Sequence, residues 1–425
     1  MILLAAVILL ASALGLASAE VVKQGSTCTV TPSGTSDDTA QILSAFRQCS
    51  TDSSIVFREG TYNIRQVMET TNLRNVSVDI LGRWVWSADN LQYWIANTLP
   101  VDYAGLYTAW KLGGTDVSVR GHGRGLFDGN GQVWIDENRN GSNRRGRPIN
   151  LTVWRGTNIF IDGIIWRQAQ FWHTFVAYSQ NVTMTNLDMN TTSNSQWTAV
   201  NTDGIDTWNS RDVRVANWSV VSGDKTTWDP LDMTEADHNR SQDCLSVKGN
   251  STNIEFKNVT CYESGCAVIG SMASNARQPE YVDNVHYEDI RCIHSSNAAW
   301  IKTYPGTGHV RNVTFKDIEF EDVNQPVYIT PCTYSGQNCD SSRVAIQDIS
   351  WINVRGTSRY NIAAGMYCSA AAPCRNLRFE NIDIRPKNGG AAKVLCSNIQ
   401  NQATMGWQCT GICPGNWPQQ LNGNR

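Results

Sequence analysis

Acidic residues are concentrated in one polar part of the chain, at spacings that would let their side chains meet. Asp203, Asp224 and Asp243 follow one another at intervals of about 20 residues, the length of one repeat in many stacked-repeat proteins. If successive repeats stack, the three carboxyl groups lie on one face. Carboxylates that converge repel one another and lose solvation, which raises the pKa of one of them and makes it a proton donor.

A set of this kind is suited to cleaving a glycosidic bond. That reaction needs one protonated acid at the leaving oxygen and a second carboxylate that activates water or attacks the sugar. Spacing alone is equally compatible with solvated aspartates in turns, so the elements that carry these residues decide between the two interpretations.

A short alternating strand recurs from the middle of the chain onward. Each copy begins at Asn, places Val, Ile, Leu or Phe at alternate positions and ends at a turn residue, as in 158–163, 181–186, 253–258, 284–289, 312–317 and 376–381, with degenerate copies at 211–217 and 346–353. Alternation with period two indicates strands. One clear strand per repeat favours a solenoid over a β-propeller, so we predict an all-β parallel β-helix whose coils stack around one core.

Two further features of this architecture can be predicted. The recurrent Asn residues are expected to stack at the corners as ladders of amide hydrogen bonds. A helix over 36–49, with apolar Ile42, Leu43 and Phe46, is expected to cap the N-terminal end of the solenoid.

The N-terminus and the cysteines indicate export. Residues 1–19 form an apolar run ending in Ala17-x-Ala19, which predicts a signal peptide cleaved after Ala19; a membrane anchor is disfavoured because the run is short and no charge cluster follows it. The 13 cysteines indicate disulfides and leave at least one thiol unpaired, and scattered Asn-x-Ser/Thr sites indicate glycosylation.

The rest of the chain has the character of one domain. No linker interrupts residues 20–425, which we expect to form a single catalytic domain and a secreted monomer. The net charge of −3 excludes a generally basic nucleic-acid binder, and we expect no membrane association after signal cleavage.

Together, the motifs resemble those of glycoside hydrolase family 28, the polygalacturonases and their relatives. The resemblance covers nearly the whole mature chain, and its C-terminal cysteines resemble the fungal exo-acting branch. It rests on residues 27–30, 37–39, 56–62, 121–134, 201–206, 243–248 and 301–305. It implies a right-handed parallel β-helix and hydrolysis of pectic polysaccharide with inversion. We expect no cofactor and no metal, since none of the six His has metal-ligand spacing with another His or Cys.

The resemblance also implies roles for single residues. Asp224 is the expected general acid, and Asp203 and Asp243 are expected to activate the water. Lys302 would hold a substrate carboxylate, Asn201 is a further substrate-binding candidate, and Trp300 could offer a stacking face to a sugar. Implied disulfides join Cys28 to Cys49, Cys244 to Cys261, Cys332 to Cys339 and Cys368 to Cys374. For Cys266 and Cys292 no partner is assigned; we expect Cys266 to be a buried inert cysteine, with a catalytic thiol as the alternative.

Several positions depart from the family pattern. The family's adjacent Asp-Asp-Cys is split by residues 225–242, which are either a loop over the site or intron sequence translated in a faulty gene model. If Gln242 takes the first position instead of Asp224, the general acid is missing. A family His is replaced by Gly265 and a family Arg by Trp300, which argues against an endo-polygalacturonase.

Three functions remain open at this point. The favoured one is an exo-acting hydrolase that removes terminal galacturonate from galacturonan or rhamnogalacturonan. The second is a rhamnogalacturonan hydrolase or α-L-rhamnosidase, and the third is a catalytically inactive pectin-binding homologue, because fold alone does not prove chemistry. A pectate lyase would instead need calcium-binding carboxylates and a basic proton abstractor.

Overall fold

Stacked parallel strands run through the described part of the chain. The computed structural model describes residues 20–34, 36–141, 144–223, 242–334 and 336–414. The predicted signal peptide at 1–19, the predicted acid Asp224 and all but the last residue of the inserted segment 225–242 lie outside the described residues. Within them, no helix is long and apolar enough to cross a bilayer.

The described residues form 28 strands and three α-helices. The helices are α1 (Thr39–Gln48), α2 (Leu91–Asn97) and α3 (Gly131–Asn138), and short 3-10 turns lie at Cys339–Ser341 and Gln402–Thr404. The strands are β1 (Glu20–Gln24), β2 (Thr27–Thr31), β3 (Thr51–Phe57), β4 (Thr61–Ile64), β5 (Met68–Ile80), β6 (Arg83–Trp86), β7 (Leu99–Pro100), β8 (Tyr107–Arg120), β9 (Leu126–Asp128), β10 (Pro148–Trp154), β11 (Thr157–Asp162), β12 (Ile165–Arg167), β13 (Thr174–Ala177), β14 (Gln180–Thr191), β15 (Ile205–Trp208), β16 (Arg211–Ser222), β17 (Asp243–Val247), β18 (Ser251–Tyr262), β19 (Gly265–Met272), β20 (Glu280–Ile293), β21 (Asn297–Thr303), β22 (Thr307–Val323), β23 (Gln325–Thr330), β24 (Arg343–Ser358), β25 (Ile362–Tyr367), β26 (Arg375–Pro386), β27 (Lys393–Ser397) and β28 (Gly411–Ile412).

The strands pair from coil to coil, so the chain winds as a parallel β-helix. Long strands span two faces: β14 pairs with β11 through its first half and with β12 through its second half. A separate face pairs β8, β10, β13, β15, β17, β19, β21, β23, β25 and β27 in that order, all parallel. We call this face the site sheet. The predicted all-β parallel β-helix is confirmed.

Because successive coils pair in the same register, similar side chains stack on one another inside the coils. Phe256, Tyr287, Phe315, Trp351 and Phe379 occupy equivalent positions on successive coils, and their ring centroids are 4.5 to 5.7 Å apart. A slip of one residue would turn this row toward solvent, so the core fixes the register of every coil.

The predicted asparagine ladder is present at a corner of the coils. Asn181 Nδ2 donates to Asn158 Oδ1 at 2.8 Å, and Asn312 Nδ2 donates to Asn284 Oδ1 at 3.1 Å. These residues have φ between 53° and 56°, a left-handed conformation that Asn tolerates better than most residues. One side chain therefore makes both the turn and the bond to the next coil.

The capping helix is confirmed, but it is not the only helix. The helix α1 buries Ile42, Ala45 and Phe46 and packs against β1, β2 and β5 at the N-terminal end of the solenoid. The helices α2 and α3 were not predicted, because they are only seven and eight residues long and lack a sustained apolar period.

All four disulfides implied by the resemblance are formed, and two more join Cys266 to Cys292 and Cys396 to Cys409. Cys266 is buried, as expected, and its bond to Cys292 excludes the alternative of a catalytic thiol. Cys413 is the unpaired thiol that the odd count requires, and it is buried. Cys244, beside Asp243, ties the site sheet to the neighbouring face.

Candidate active site

Three aspartates converge at one edge of the site sheet. Asp203 lies in the turn before β15, Asp206 lies on β15, and Asp243 opens β17. The pairing of Ile205 with Leu245 places Asp203 beside Asp243 on adjacent coils. One carboxylate oxygen of each aspartate lies within 4.8 Å of the others, and all three residues are buried. The structure thus brings together two of the three predicted acids and adds Asp206.

Two buried lysines compensate the charge of this acidic cluster. Lys302 Nζ lies 2.8 Å from Asp243 Oδ2 and donates to Asp243 Oδ1 at 2.9 Å. Lys248 Nζ lies 2.9 Å from Asp206 Oδ1 and 3.6 Å from Asp243 Oδ2, and it donates to Gly270 O at 2.9 Å. The set therefore holds three acidic and two basic groups, so one retained proton would make it neutral.

The surroundings favour protonation of Asp203. Burial, followed by the charges of Asp206 and Asp243, raises the pKa of Asp203 well above the ordinary value. Burial also raises the pKa of Asp206 to about 6, although Lys248 opposes the shift. Burial alone would lower the pKa of Lys248, but Asp206 and its neighbours raise it. The cluster is thus expected to share a proton in mildly acidic solution.

The backbone of Asp203 is held by a buried histidine. His173 N donates to Asp203 O at 2.8 Å, and its Nδ1 lies 3.0 Å from the same oxygen. Thr191 Oγ1 lies 3.0 Å from His173 Nε2. Because burial lowers the pKa of His173 to about 4, the ring is neutral above that pH and positions Asp203 without adding charge.

The predicted substrate-binding residues occupy different environments. Asn201 lies two residues before Asp203, partly exposed, with a left-handed φ of 53°. Trp300 is only 8% exposed; its ring stacks on Tyr328 at 5.4 Å, and Lys302 Nζ lies 4.2 Å from its centroid. Little of this ring is left for a sugar, so the ring supports Lys302. The binding roles of Asn201, Trp300 and Lys302 stay predictions.

An aromatic segment covers the outer face of the sheet beside the acidic cluster. Tyr103 packs its ring 5.2 Å from Trp208 and 5.8 Å from Phe175, and its hydroxyl donates to Ser271 O at 3.4 Å. Trp172 lies beneath it, 5.5 Å from Lys248 Nζ. Through the Tyr103 side chain, the segment 101–106 therefore contacts β13, β15 and β19 beside the aspartates.

Gln242 immediately precedes Asp243 in the chain. It is buried and its amide donates to Ala199 O. Asp224, the expected acid, lies outside the described residues. Both alternatives for the inserted segment therefore stand.

Asp206 and Lys248 were missed as site residues, although the sequence carries a signal for each. Leu245 and Val247 alternate inward on β17, so Lys248 must point to the same side as Ser246 and the site. Asp206 likewise follows inward Ile205. The alternating pattern identifies the inward core residues, and the same pattern also assigns the outward positions next to Asp203 and Asp243. Tyr103 had no comparable signal.

Comparison with known proteins identifies the family. The sequence model described as glycosyl hydrolases family 28 matches residues 105–227 and 230–405. The chain belongs to glycosyl hydrolase family 28. This family 28 enzyme is thus a glycoside hydrolase.

Its relatives carry different activities in their names. An α-L-rhamnosidase of Aspergillus niger is 32% identical over 91% of each chain. An exopolygalacturonase of Cochliobolus carbonum is 31% identical over 86% of this chain and 82% of its own. The crystal structure of an endo-xylogalacturonan hydrolase from Aspergillus tubingensis matches with a TM-score of 0.78 at 25% identity, covering 91% of this chain and 99% of that one. Membership in family 28 therefore establishes the fold and the type of bond that is cleaved, whereas the sugar that is recognised depends on the residues of the site.

The raised pKa of Asp206 predicts how stability changes with pH. The unfolded chain releases this proton near its ordinary value of 3.8, whereas the folded enzyme holds it to about pH 6. Because the folded state binds the extra proton, this group lowers the free energy of unfolding as pH rises from about 4 to about 6. Asp206→Asn is expected to lose less stability over that window, as measured by urea unfolding at several pH values.

Asp52→Asn is the matched control for this prediction. Asp52 is exposed and has a left-handed φ of 46°, which Asn tolerates. This variant should follow the wild-type pH dependence. If Asp206→Asn also follows it, Asp206 does not hold the proton.

Proposed function

We propose that this family 28 enzyme is an exo-acting hydrolase that removes terminal α-galacturonosyl residues from galacturonan or rhamnogalacturonan, with inversion. The observation that carries the proposal is the buried acidic cluster of Asp203, Asp206 and Asp243, held by Lys248 and Lys302. No structural requirement of the coils explains three buried carboxylates at one sheet edge, because burying them costs solvation. A catalytic role explains why the protein contains an arrangement that costs stability.

Asp203 and Asp243 are the proposed water-activating pair. Their oxygens are too close to lie on opposite faces of a sugar ring, where inverting acid and base carboxyl groups are about 6.5 to 9.5 Å apart. The pair therefore acts on one side of the sugar, with Lys302 Nζ 2.8 Å from Asp243 and with Asp203, whose pKa is raised by burial, retaining the proton of the cluster. The leaving oxygen must be protonated from the other side, and Asp224 is the proposed acid.

Exo action is supported by the segment that carries Tyr103. Because Tyr103 packs on Phe175 and Trp208 and its hydroxyl reaches Ser271 O, its side chain occupies part of the outer face beside the acidic cluster and leaves less room there for a polysaccharide. A chain end needs less room than an internal linkage. Lys302, fixed against Asp243, would direct a substrate carboxylate toward the reacting linkage on the opposite side.

The α-L-rhamnosidase relative supports a second candidate, cleavage of a terminal rhamnose. Product analysis separates the two functions. With reduced oligogalacturonides and rhamnogalacturonan oligomers as substrates, we expect galacturonic acid as the first product, detected by anion-exchange chromatography. A ladder of shorter oligomers would overturn exo action, free rhamnose would select the second candidate, and binding without turnover would indicate an inactive homologue.

We also propose that the enzyme is secreted as a monomer comprising residues 20–425 after loss of residues 1–19. The six disulfides support an oxidising destination, since such bonds persist outside the cytosol. N-terminal sequencing and native mass measurement of the culture-medium protein test both statements. Sequencing the transcript across Asp224 to Asp243 tests whether the inserted segment is translated.

A further inference from the structure

A cavity of about 320 Å³ lies at the same edge of the site sheet as the acidic cluster. Its walls come from the segments that precede β8, β10 and β13, represented by Leu106, Arg147 and Phe171. In the site sheet β10 is followed by β13 and then β15, so the cavity is about two strand spacings, roughly 10 Å, from the turn that carries Asp203. Exposed Gly105 and Arg145 leave it open to solvent.

Arg147 is one of the three arginines that line this cavity. Only 2% of the residue is exposed, its Nε donates to Gln170 O, and its guanidinium carbon lies 5.0 Å from the ring centre of Phe171. Nη1 and Nη2 are both buried and make no hydrogen bond to any described residue. Buried cations are normally paired, because an unpaired one forfeits its hydration.

The remaining charges of the cavity are also positive. Arg144 and Arg145 complete the basic lining, and no carboxylate lines the cavity among the described residues. Arg144 is paired with Glu137 at 2.6 Å, whereas Arg145 makes no ion pair with a described residue. Burial lowers the pKa of Arg147 to about 9, a shift that Asp203 opposes when it is ionised. A bound anion would restore the ordinary pKa.

We propose that this cavity binds the carboxylate of the terminal uronate residue of the substrate, with Arg147 making two parallel hydrogen bonds and Arg145 adding charge at the rim. The planar fork of a guanidinium matches a carboxylate in this way. The inference rests on the proposed hydrolysis of galacturonosyl linkages and adds the group that recognises the sugar.

The position of the cavity separates it from Lys302. Lys302 lies on β21, beyond β17 and β19 on the other side of Asp243, whereas Arg147 immediately precedes β10. The two cations therefore flank the acidic cluster along the stack of coils. A substrate with carboxylates on both sides of the scissile linkage satisfies both, and a terminal rhamnose, which has no carboxylate, leaves Arg147 unpaired. The cavity thus favours galacturonate over rhamnose.

Steady-state kinetics on trigalacturonate tests the inference. We expect Arg147→Gln to raise KM about 10- to 100-fold and Arg145→Gln to raise it by a smaller factor, with kcat changed little, because the lost hydrogen bonds are charge-assisted. Arg147→Lys, which keeps the charge without the fork, should restore part of the loss. Arg74→Gln, an exposed arginine on β5 paired with Asp52, is the matched control and should match wild type.

The outcomes are distinct. Wild-type turnover with unchanged KM in folded Arg145→Gln and Arg147→Gln enzymes overturns the cavity's role but leaves the proposed function standing. If Arg147→Gln fails to fold, an unchanged KM in Arg145→Gln and Arg147→Lys overturns it equally. Wild-type enzyme that releases rhamnose and no galacturonate overturns the proposed function and the inference together.

Discussion

Asp203→Asn is expected to lower kcat by roughly 10²- to 10⁴-fold, the usual contribution of a positioned acid–base group, without lowering stability. Asp203 is buried, its Oδ1 makes no hydrogen bond to a described residue, and burial next to Asp206 and Asp243 raises its pKa. A carboxyl group that already favours the neutral form loses little when an amide replaces it. The loss should therefore appear in kcat on oligogalacturonides and not in the urea midpoint.

Asp243→Asn gives the informative comparison. Asp243 is ion-paired with Lys302 at 2.8 Å, so its replacement should lower both kcat and stability, because it leaves a buried ammonium without its partner. Asp52→Asn serves as the surface control. Wild-type turnover in Asp203→Asn would remove Asp203 from the mechanism, and equal destabilisation of both variants would mean that Asp203 is ionised in the folded enzyme.

Lys248→Met is expected to lower the free energy of unfolding by about 3 to 5 kcal/mol, the typical cost of breaking a buried ion pair from one side. Lys248 is 4% exposed and contacts Asp206 at 2.9 Å and Asp243 at 3.6 Å. Without it, Lys302 is the only cation left in direct contact with the acidic cluster among the described residues. The remaining carboxyl groups must then bind protons to stay buried, so the loss should be largest at neutral pH.

The double variant Asp206→Asn, Lys248→Met distinguishes a charge effect from a packing effect. Removing both partners leaves no unpaired charge, so most of the lost stability should return. Lys257→Met is the matched control: Lys257 pairs with Glu288 at 3.2 Å on an exposed surface, where such a pair contributes at most about 1 kcal/mol. If the double variant is as unstable as Lys248→Met, the lysine contributes by packing and not by charge.

Much of the scaffold could be predicted from local sequence. Period-two alternation and recurrent Asn predicted the stacked coils, because inward apolar residues and left-handed corners are properties of single segments. The repeat length of about 20 residues predicted Asp203, Asp224 and Asp243 on successive coils, whereas the structure pairs β15 directly with β17 and places Asp203 and Asp243 on adjacent coils. Local sequence did not predict the helices α2 and α3, because they are too short to leave a periodic signal. It also did not predict the Cys266–Cys292 bond, because the spacing of these two residues gives no signal.

By itself the sequence determined the coil, its inward face and the positions of the acids along the chain. Tertiary structure alone decided which charges meet: Lys248 contacts Asp206 on the preceding coil, and Arg147 lies in a cavity made by three separate segments. The physical reason is that coil lengths are irregular, so the alignment of one coil on the next is set by packing of the whole core. Burial then sets the pKa of each group, and burial is a property of the assembled fold.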